Sequence, residues 1–375
     1  MIEHIARRGI QHVAGMNMYK RAVEEGSKIE VPKMGIAVLV GSFIIMALFL
    51  SAVEYTLKDV VATLAMVETP SAAITISTPD EPASKDEKEG LLETAPTMTL
   101  VHQKPLTSSI RGTIKHLVSQ GGRLARFRGF REKALWAFAM NVVANIANTF
   151  LPTFIPFRMV IVMAVAGAVT ANLHAAWTHK IVSMPSATRF WQRIPARSQW
   201  KVLAFPAAVY AAMPYVSLYV AQGSIQLLRL NRLKPEDVRE YNGAEWTSLI
   251  ARFIAVIVIA FSCTLFLCLP AIVTMVRVEA SILPEEEDTI VPFDRTFDGK
   301  VVSKVVGGTG SIGFLDAWKS FTWEARRRLL KLYVKVFFII AGLAFILMHV
   351  WAVIGFVAMG PALGKAIAEA RKNGY

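Results

Sequence analysis

Cysteine is scarce in this chain of 375 residues, with only Cys263 and Cys268 present. Both fall in one apolar run. Five residues apart on a helix, they point about 140° away from each other, because each residue advances about 100°. That spacing excludes a disulfide framework and a thiolate metal site. Acidic residues are nearly missing from the apolar runs, which argues against a proton-coupled transporter of the usual kind. The seven histidines are scattered, with no His-x-x-x-His, and no Gly-x-Ser-x-Gly occurs. No catalytic set, metal site or cofactor site is therefore expected. No Asn-x-Ser/Thr sequon points to a glycosylated loop.

The first residues, MIEHIARRGIQHVAG, lack a short apolar core followed by a small-residue cleavage site, so no removed signal peptide is expected. Arg7 and Arg8 fit a mitochondrial presequence, but Glu3, Glu24 and Glu25 count against one. Charge as a whole is also low. Charged residues make up 18% of the chain and hydrophobic ones 54%, against about 25% charged in soluble domains. The deficit is concentrated in apolar blocks of roughly 18–25 residues, enough to cross a hydrocarbon core about 30 Å thick.

The sequence therefore reads as an all-α polytopic membrane protein with about six spans, or five if the fourth is re-entrant. An amphipathic segment 1–34 leads to spans at 35–53, 134–157, 159–177, 202–221, 253–276 and 334–359. Residues 54–133 form an extramembrane loop, with an acidic linker at 68–109 too polar to fold and a basic amphipathic helix at 110–133. The second and third spans form a helical hairpin reversed at Pro152, Pro156 and Arg158. Residues 178–201 lie in the headgroup layer. Pro206 and Pro214 make the fourth block a kinked or re-entrant helix. Residues 277–333 hold a small β-hairpin and an interfacial helix, and 360–375 form a tail.

The net charge of +13 does not indicate nucleic acid, since no binding-module cue accompanies it. The basic residues flank the apolar blocks, where they set topology and meet anionic headgroups. Most fall in the loops between spans one and two, three and four, and five and six. The positive-inside rule then places both termini on the non-cytoplasmic side. Arg189, Trp191 and Arg193 read as interfacial, as do Trp318, Arg326, Arg327 and Arg328.

Within the spans, Asn141, Asn145 and Asn148 share one helix face, and Asn172 and His174 stand in the next span. A polar stripe of this kind faces protein or water. It is either a polar pathway or interhelical hydrogen bonding, and the latter is favoured. Ala164, Gly167, Ala168, Ala171 and Ala175 form a small-residue packing face. Gly308, Gly310 and Gly313 match Gly-x-Gly-x-x-Gly, but the chain enters a span afterwards instead of returning to a sheet, so a glycine turn is expected. Asp298-Gly299 between β-prone runs signals the hairpin. The run Glu285–Asp288 lacks the alternating oxygen ligands of a calcium loop.

The stretches RFWQRIP (Arg189–Pro195) and LPEEEDTIVPFDRTFDGKV (Leu283–Val301) resemble those of a family of filamentous-fungal multi-span membrane proteins of uncharacterised function. The resemblance runs from the first span to Lys335 and is weakest around residues 70–105. Members are sometimes labelled ubiquitin carrier proteins. That activity needs an exposed nucleophilic cysteine on a soluble domain, which the span-bound Cys263 and Cys268 do not provide. The resemblance implies a fungal origin and brings no site residues.

The reading is thus a non-enzymatic, transporter-like or membrane-organising component. The alternative is a membrane-embedded enzyme or cofactor-binding protein using His174, His179 or His349 on a lipid-soluble substrate. The expected partner is a bilayer with anionic headgroups, in a plasma membrane or endomembrane ahead of a mitochondrial one.

Overall fold

The computed structural model describes residues 33–69, 72–77, 97–102, 104–234, 236, 241–302 and 307–360. Residues 1–32 and 361–375, nearly all of the amphipathic segment expected at 1–34 and of the tail expected at 360–375, lie outside them. Helices dominate. In chain order they are α1 (Lys33–Glu54), α2 (Ala62–Val67), α3 (Ile110–Gly121), α4 (Phe130–Phe150), α5 (Arg158–Val182), α6 (Trp200–Leu227), α7 (Gly243–Cys263), α8 (Leu269–Ser281), α9 (Phe314–Lys319) and α10 (Trp323–Met359). π-helical turns at Tyr55–Val61 and Thr264–Cys268 join α1 to α2 and α7 to α8. The second precedes Pro270, which has no N–H to continue the ladder.

Five helical stretches are long and apolar enough to cross a membrane: Lys33–Val67, Arg158–Val182, Arg197–Leu227, Gly243–Ser281 and Trp323–Met359. The proline-bearing fourth block is among them, as a continuous helix with Pro206 and Pro214 inside it. The block that drops out is the second. α4 ends at Phe150 instead of 157, and three asparagines dilute its apolar content. The α4–α5 turn is tight, as expected. Ile155 N–H donates to the Pro152 carbonyl and Val160 N–H to the Phe157 carbonyl, while the Arg158 guanidinium caps the Asn148 carbonyl.

Several boundaries differ from the sequence reading. Residues 55–67, read as a surface continuation of the first helix within the extramembrane loop, do continue that helix but are mostly buried. α5 and α8 run past 177 and 276, to Val182 and Ser281. The basic helix stops at Gly121 and is followed by a 3-10 turn, Arg123–Phe127. The acidic linker is not without structure: β1 (Ala72–Ser77) and β2 (Thr97–His102) pair antiparallel, with Ala72 opposite His102. Their β-branched runs AITIS and TMTLV suit a ladder, and the Pro- and acid-rich composition of the segment hides them. At Asp298-Gly299 the described residues make a left-handed turn, with φ 50° at Phe297, 59° at Asp298 and 79° at Gly299, and no ladder. Residues 303–306, half of the expected hairpin, lie outside the described residues. Gly308 sits where a Cβ would come within 2.2 Å of the Val302 carbonyl oxygen. The glycine motif is thus a close turn before a six-residue helix.

The chain divides into two compact units. In one, α1 packs against the Lys335–Met359 part of α10: the Trp351 indole N–H donates to the Leu39 carbonyl at 3.1 Å, and its ring meets Phe43 at 6.0 Å. Most side chains of this pair are apolar, and many of the large ones are exposed, including Ile45, Leu48, Phe338 and Phe356. Such a continuous apolar surface is intolerable in water and suits hydrocarbon.

The other unit, Tyr55–Val334, is built around α5 and α6. Their seam closes over Gly167, where a Cβ would meet the Ala207 carbonyl oxygen at 2.5 Å. This confirms the small-residue face. One cluster joins Ala171, Ala175, Leu203, Ala207, Met275 and Val278 with Phe297, Ile312 and Ala317 of the loops. A second places Tyr55, Val60 and Leu64 against Leu117, Trp177 and Ile181. The described loop segments 104–129, 183–199, 282–302 and 307–322 therefore gather over one end of this unit. They belong to the three basic-rich loops that the charge count assigns to one side.

Candidate functional site

The asparagine face does not line a helix interface. The packing face of α4 is Trp136, Met140, Val143 and Ala144, set against Ala166 of α5 and Ala211 of α6. Asn141 and Asn145 follow the packing positions Met140 and Ala144 by one residue, hence about 100° further round the helix. Asn141 and Asn145 are exposed and Asn148 is half-buried. Asn145 turns its amide back onto its own helix and donates to the Asn141 carbonyl at 2.8 Å. Asn172 is separate from the row, donating to the Pro195 carbonyl at 3.0 Å. Only His174, of the expected polar set, is fully buried.

His174 is brought to a partner absent from the sequence reading. Glu279, near the end of α8, is completely enclosed. Its two carboxylate oxygens lie 2.8 and 3.0 Å from His174 Nδ1, and Thr178 Oγ1 donates to Oε2 at 2.5 Å. His179 Nε2 donates to the Glu279 main-chain carbonyl at 2.8 Å. The rings of Trp136, Trp177 and Tyr210 enclose the His174 imidazole at 4.8, 4.9 and 5.4 Å. Above them Lys133 Nζ lies 4.1 Å from the Trp177 ring centre and 3.1 Å from Asp59. A buried carboxylate persists only when hydrogen-bonded and offset by charge, and this one is held by side chains of α5.

Around this core, arginines tie the loops to the helix ends. Arg277 is buried and donates to the carbonyls of Ala317 and Met66 and to Ser320 Oγ. Its guanidinium also covers the Phe297 and Phe321 rings at 4.8 and 5.4 Å. Arg128 donates to the carbonyls of Lys180 and Ser183. Burial, with the Arg193 charge second, lowers the Arg128 guanidinium to about 10, so it stays charged at neutral pH. Glu68, at the end of α2, accepts from the backbone of Leu106 at 2.5 Å and of Thr107 at 3.1 Å, and Arg328 lies 3.8 Å away.

The interfacial set divides. Arg189, Trp191 and Arg327 are exposed, as expected. Arg193 is not: it is buried, donating to Ser183 Oγ at 2.8 Å and to Glu287 at 3.0 Å. This ion pair ties the Arg189–Pro195 stretch to the Leu283–Val301 stretch. Arg328 is turned inward to Glu68. Arg326 stacks on Trp318 at 4.0 Å and donates to the Phe321 and Trp318 carbonyls. Arg193 and Arg328 meet acids that their own segments do not contain, so composition alone reads them as headgroup ligands.

Cys263 and Cys268 are free thiols, and Cys268 Sγ lies 3.4 Å from Ser217 Oγ. His179 belongs to the buried cluster, whereas His349 bonds its own helix at the Phe345 carbonyl. Among the described residues no group of three or more His, Cys, Asp or Glu has the arrangement to hold a metal ion. The five membrane-length apolar helices are compatible with a membrane protein. No family model, curated protein or solved structure matches the chain.

Proposed function

We propose that this chain is an integral multi-pass membrane protein with a non-enzymatic, membrane-organising role, its basic cap seated on an anionic cytoplasmic leaflet. One observation carries the reading. The buried polar groups of the larger unit are engaged in fastening three loops over one end of the helices, and the asparagine row lies on the outer surface instead of along a path between helices. Polar groups used this way hold an assembly in shape. Arg111, Lys115, Arg123, Arg126, Arg131, Arg189, Arg197 and Arg327 of the same cap are exposed. Each cation near an anionic surface contributes about 1 kcal/mol of attraction. The positive-inside rule assigns such a cap to the cytoplasm, which favours a plasma membrane or endomembrane. The family resemblance is consistent with this reading.

Reconstitution tests it. Purified protein in mixed-lipid nanodiscs is expected to enrich anionic lipid around itself. Replacing Arg189, Arg197 and Arg327 together by Gln should reduce that enrichment several-fold. Proteoliposomes should swell in sugars and salts no faster than empty vesicles. Fast swelling abolished by converting Asn141, Asn145 and Asn148 to Leu would overturn the reading in favour of transport.

A further inference from the structure

We propose that the outer face of α4 is closed by the same face of a second copy of this chain, making a two-fold dimer within the membrane. On the multi-pass reading, on which this inference rests, α5 crosses the bilayer and α4 runs antiparallel beside it from a tight turn. One contact matches their depths. Thr170, the middle residue of α5, donates through Oγ1 to Met140 Sδ at 3.5 Å. Asn141 therefore lies near the centre of the hydrocarbon layer, and Asn145 about 6 Å nearer the turn. Both are exposed. At that depth lipid tails offer an amide no hydrogen bond, and leaving it there is costly. Asn145 spends one N–H on the Asn141 main-chain carbonyl at 2.8 Å. Among the described residues, nothing bonds its Oδ1 or the side-chain amide of Asn141.

The rest of the face is equally unlike a lipid surface. Ala134, Ala137, Asn141 and Asn145 are all exposed and fall within about 80° of arc on the helix. Exposed positions of other membrane-length helices carry large side chains, such as Phe253 and Ile257 on α7 or Phe338 and Phe345 on α10. On α4 the bulk stands at the border of the strip, in the exposed Phe138 and Val142. Small residues let two helix backbones approach closely, as Gly167 does where α5 meets α6. A strip of alanine and amide with bulk beside it has the relief of a helix-packing face.

The chemistry of the strip selects a second copy as its occupant. An amide carries partial negative charge on its oxygen and partial positive charge on its nitrogen, so it complements its own kind. Two copies inserted in the same sense hold Asn141 and Asn145 at identical depths. A two-fold axis along the membrane normal then sets each opposite its equivalent. A different helix would need matching polar groups at both depths, whereas a second copy has them by construction. Asparagine buried between paired helices fixes partner and register in this way.

Full-length chains labelled separately with donor and acceptor dyes, mixed in proteoliposomes at increasing lipid dilution, provide the test. Energy transfer should report a dimer, and replacing Asn141 and Asn145 together by Leu should weaken association about tenfold, as loss of several modest interhelical hydrogen bonds implies. The same variant should unfold at the wild-type temperature, because leucine is at ease in lipid. Cysteine pairing supplies a second measurement, in a chain with Cys263 and Cys268 replaced by Ala. Oxidation should link Ala137→Cys and Asn145→Cys into dimers and leave Ile257→Cys unlinked, since that position is exposed on α7, which packs against α6. An undiminished dimer in the Leu variant, or equal linking at Ile257→Cys, would overturn the proposal. A chain monomeric at every dilution would also overturn it and leave the face to another protein's helix. Alkaline carbonate extraction separates the two readings: a chain that washes off fails the multi-pass reading, whereas a retained monomer fails the dimer alone.

Discussion

His174 of α5 and Glu279 of α8 meet at 2.8 Å across 105 residues of sequence, both withdrawn from solvent. Their bond places an acid and an imidazole side by side between two helices whose sequences otherwise read as plain apolar spans. Truncation of the acid should show what this contact contributes. Glu279→Ala strands the His174 N–H and the Thr178 hydroxyl, each costing about 1–3 kcal/mol when buried and unmet. Thermal unfolding in detergent is expected to show a clear loss for Glu279→Ala and a smaller one for Glu279→Gln, which keeps an acceptor oxygen. Equal losses would mean that the charge, not the hydrogen bonds, matters.

Arg277 should be equally intolerant, for a different reason. Its fork reaches three neutral acceptors on two separate segments, a geometry that the single ammonium of lysine does not reproduce. Arg277→Lys is therefore expected to destabilise by about 2 kcal/mol or more, since bonds from a charged donor contribute about 1.5–3 kcal/mol each. Limited proteolysis should then cut within 307–322, the segment that Arg277 pins. An uncut, fully stable Lys variant would show that the fork is dispensable.

Gly167 provides a test with a reversed sign. Glycine to alanine inside a helix normally stabilises by about 1 kcal/mol. At Gly167 the added methyl would sit 2.5 Å from the Ala207 carbonyl oxygen and 2.7 Å from Ala211 Cβ, and backbone does not yield cheaply. Gly167→Ala should lower the unfolding temperature by several degrees. Gly223→Ala on α6, with open space around it, should leave it unchanged or raise it.

The Phe297–Gly299 turn should respond to acid. Burial by itself would raise the pKa of the Asp294 carboxyl. Bonds from Asp298 N–H at 2.9 Å, from Thr296 Oγ1 at 2.7 Å and from Thr296 N–H at 2.9 Å outweigh that and hold it below its ordinary 3.8. A carboxyl with a depressed folded pKa stabilises above its unfolded pKa, and the stabilisation is lost as pH falls through the folded value. Exchange of the Asp298 amide should therefore accelerate only below about pH 4, and Asp294→Asn should remove that acid step. A pH-independent amide in the wild type would refute this account.

How far the sequence carries can be seen at particular residues. The apolar cores of Lys33–Val67, Arg158–Val182, Arg197–Leu227, Gly243–Ser281 and Trp323–Met359 announce themselves, because length and hydropathy are local properties. Their ends are less visible. α8 passes through Arg277 and Glu279 inside the stretch IVTMVRVEASIL, where apolar residues still recur at helical spacing on both sides of the charges. That periodicity was the available signal for Glu279, outweighed by the presence of two ionisable groups. The asparagine row illustrates the opposite error. Its spacing defines a face correctly, but only the positions of Ala166 and Ala211 determine that α4 packs through Met140 and Ala144 instead.

The sequence by itself determined that this chain is helical, apolar in membrane-length blocks, and basic in three alternate loops. Those are sums over neighbouring residues, and a hydrocarbon or aqueous surrounding responds to such sums directly. The tertiary structure alone decided which polar residues lie inside. Burial of His174, Arg193, Arg277 and Glu279 depends on partners about 90 to 210 residues distant, and a buried charge is tolerable only where those partners arrive together.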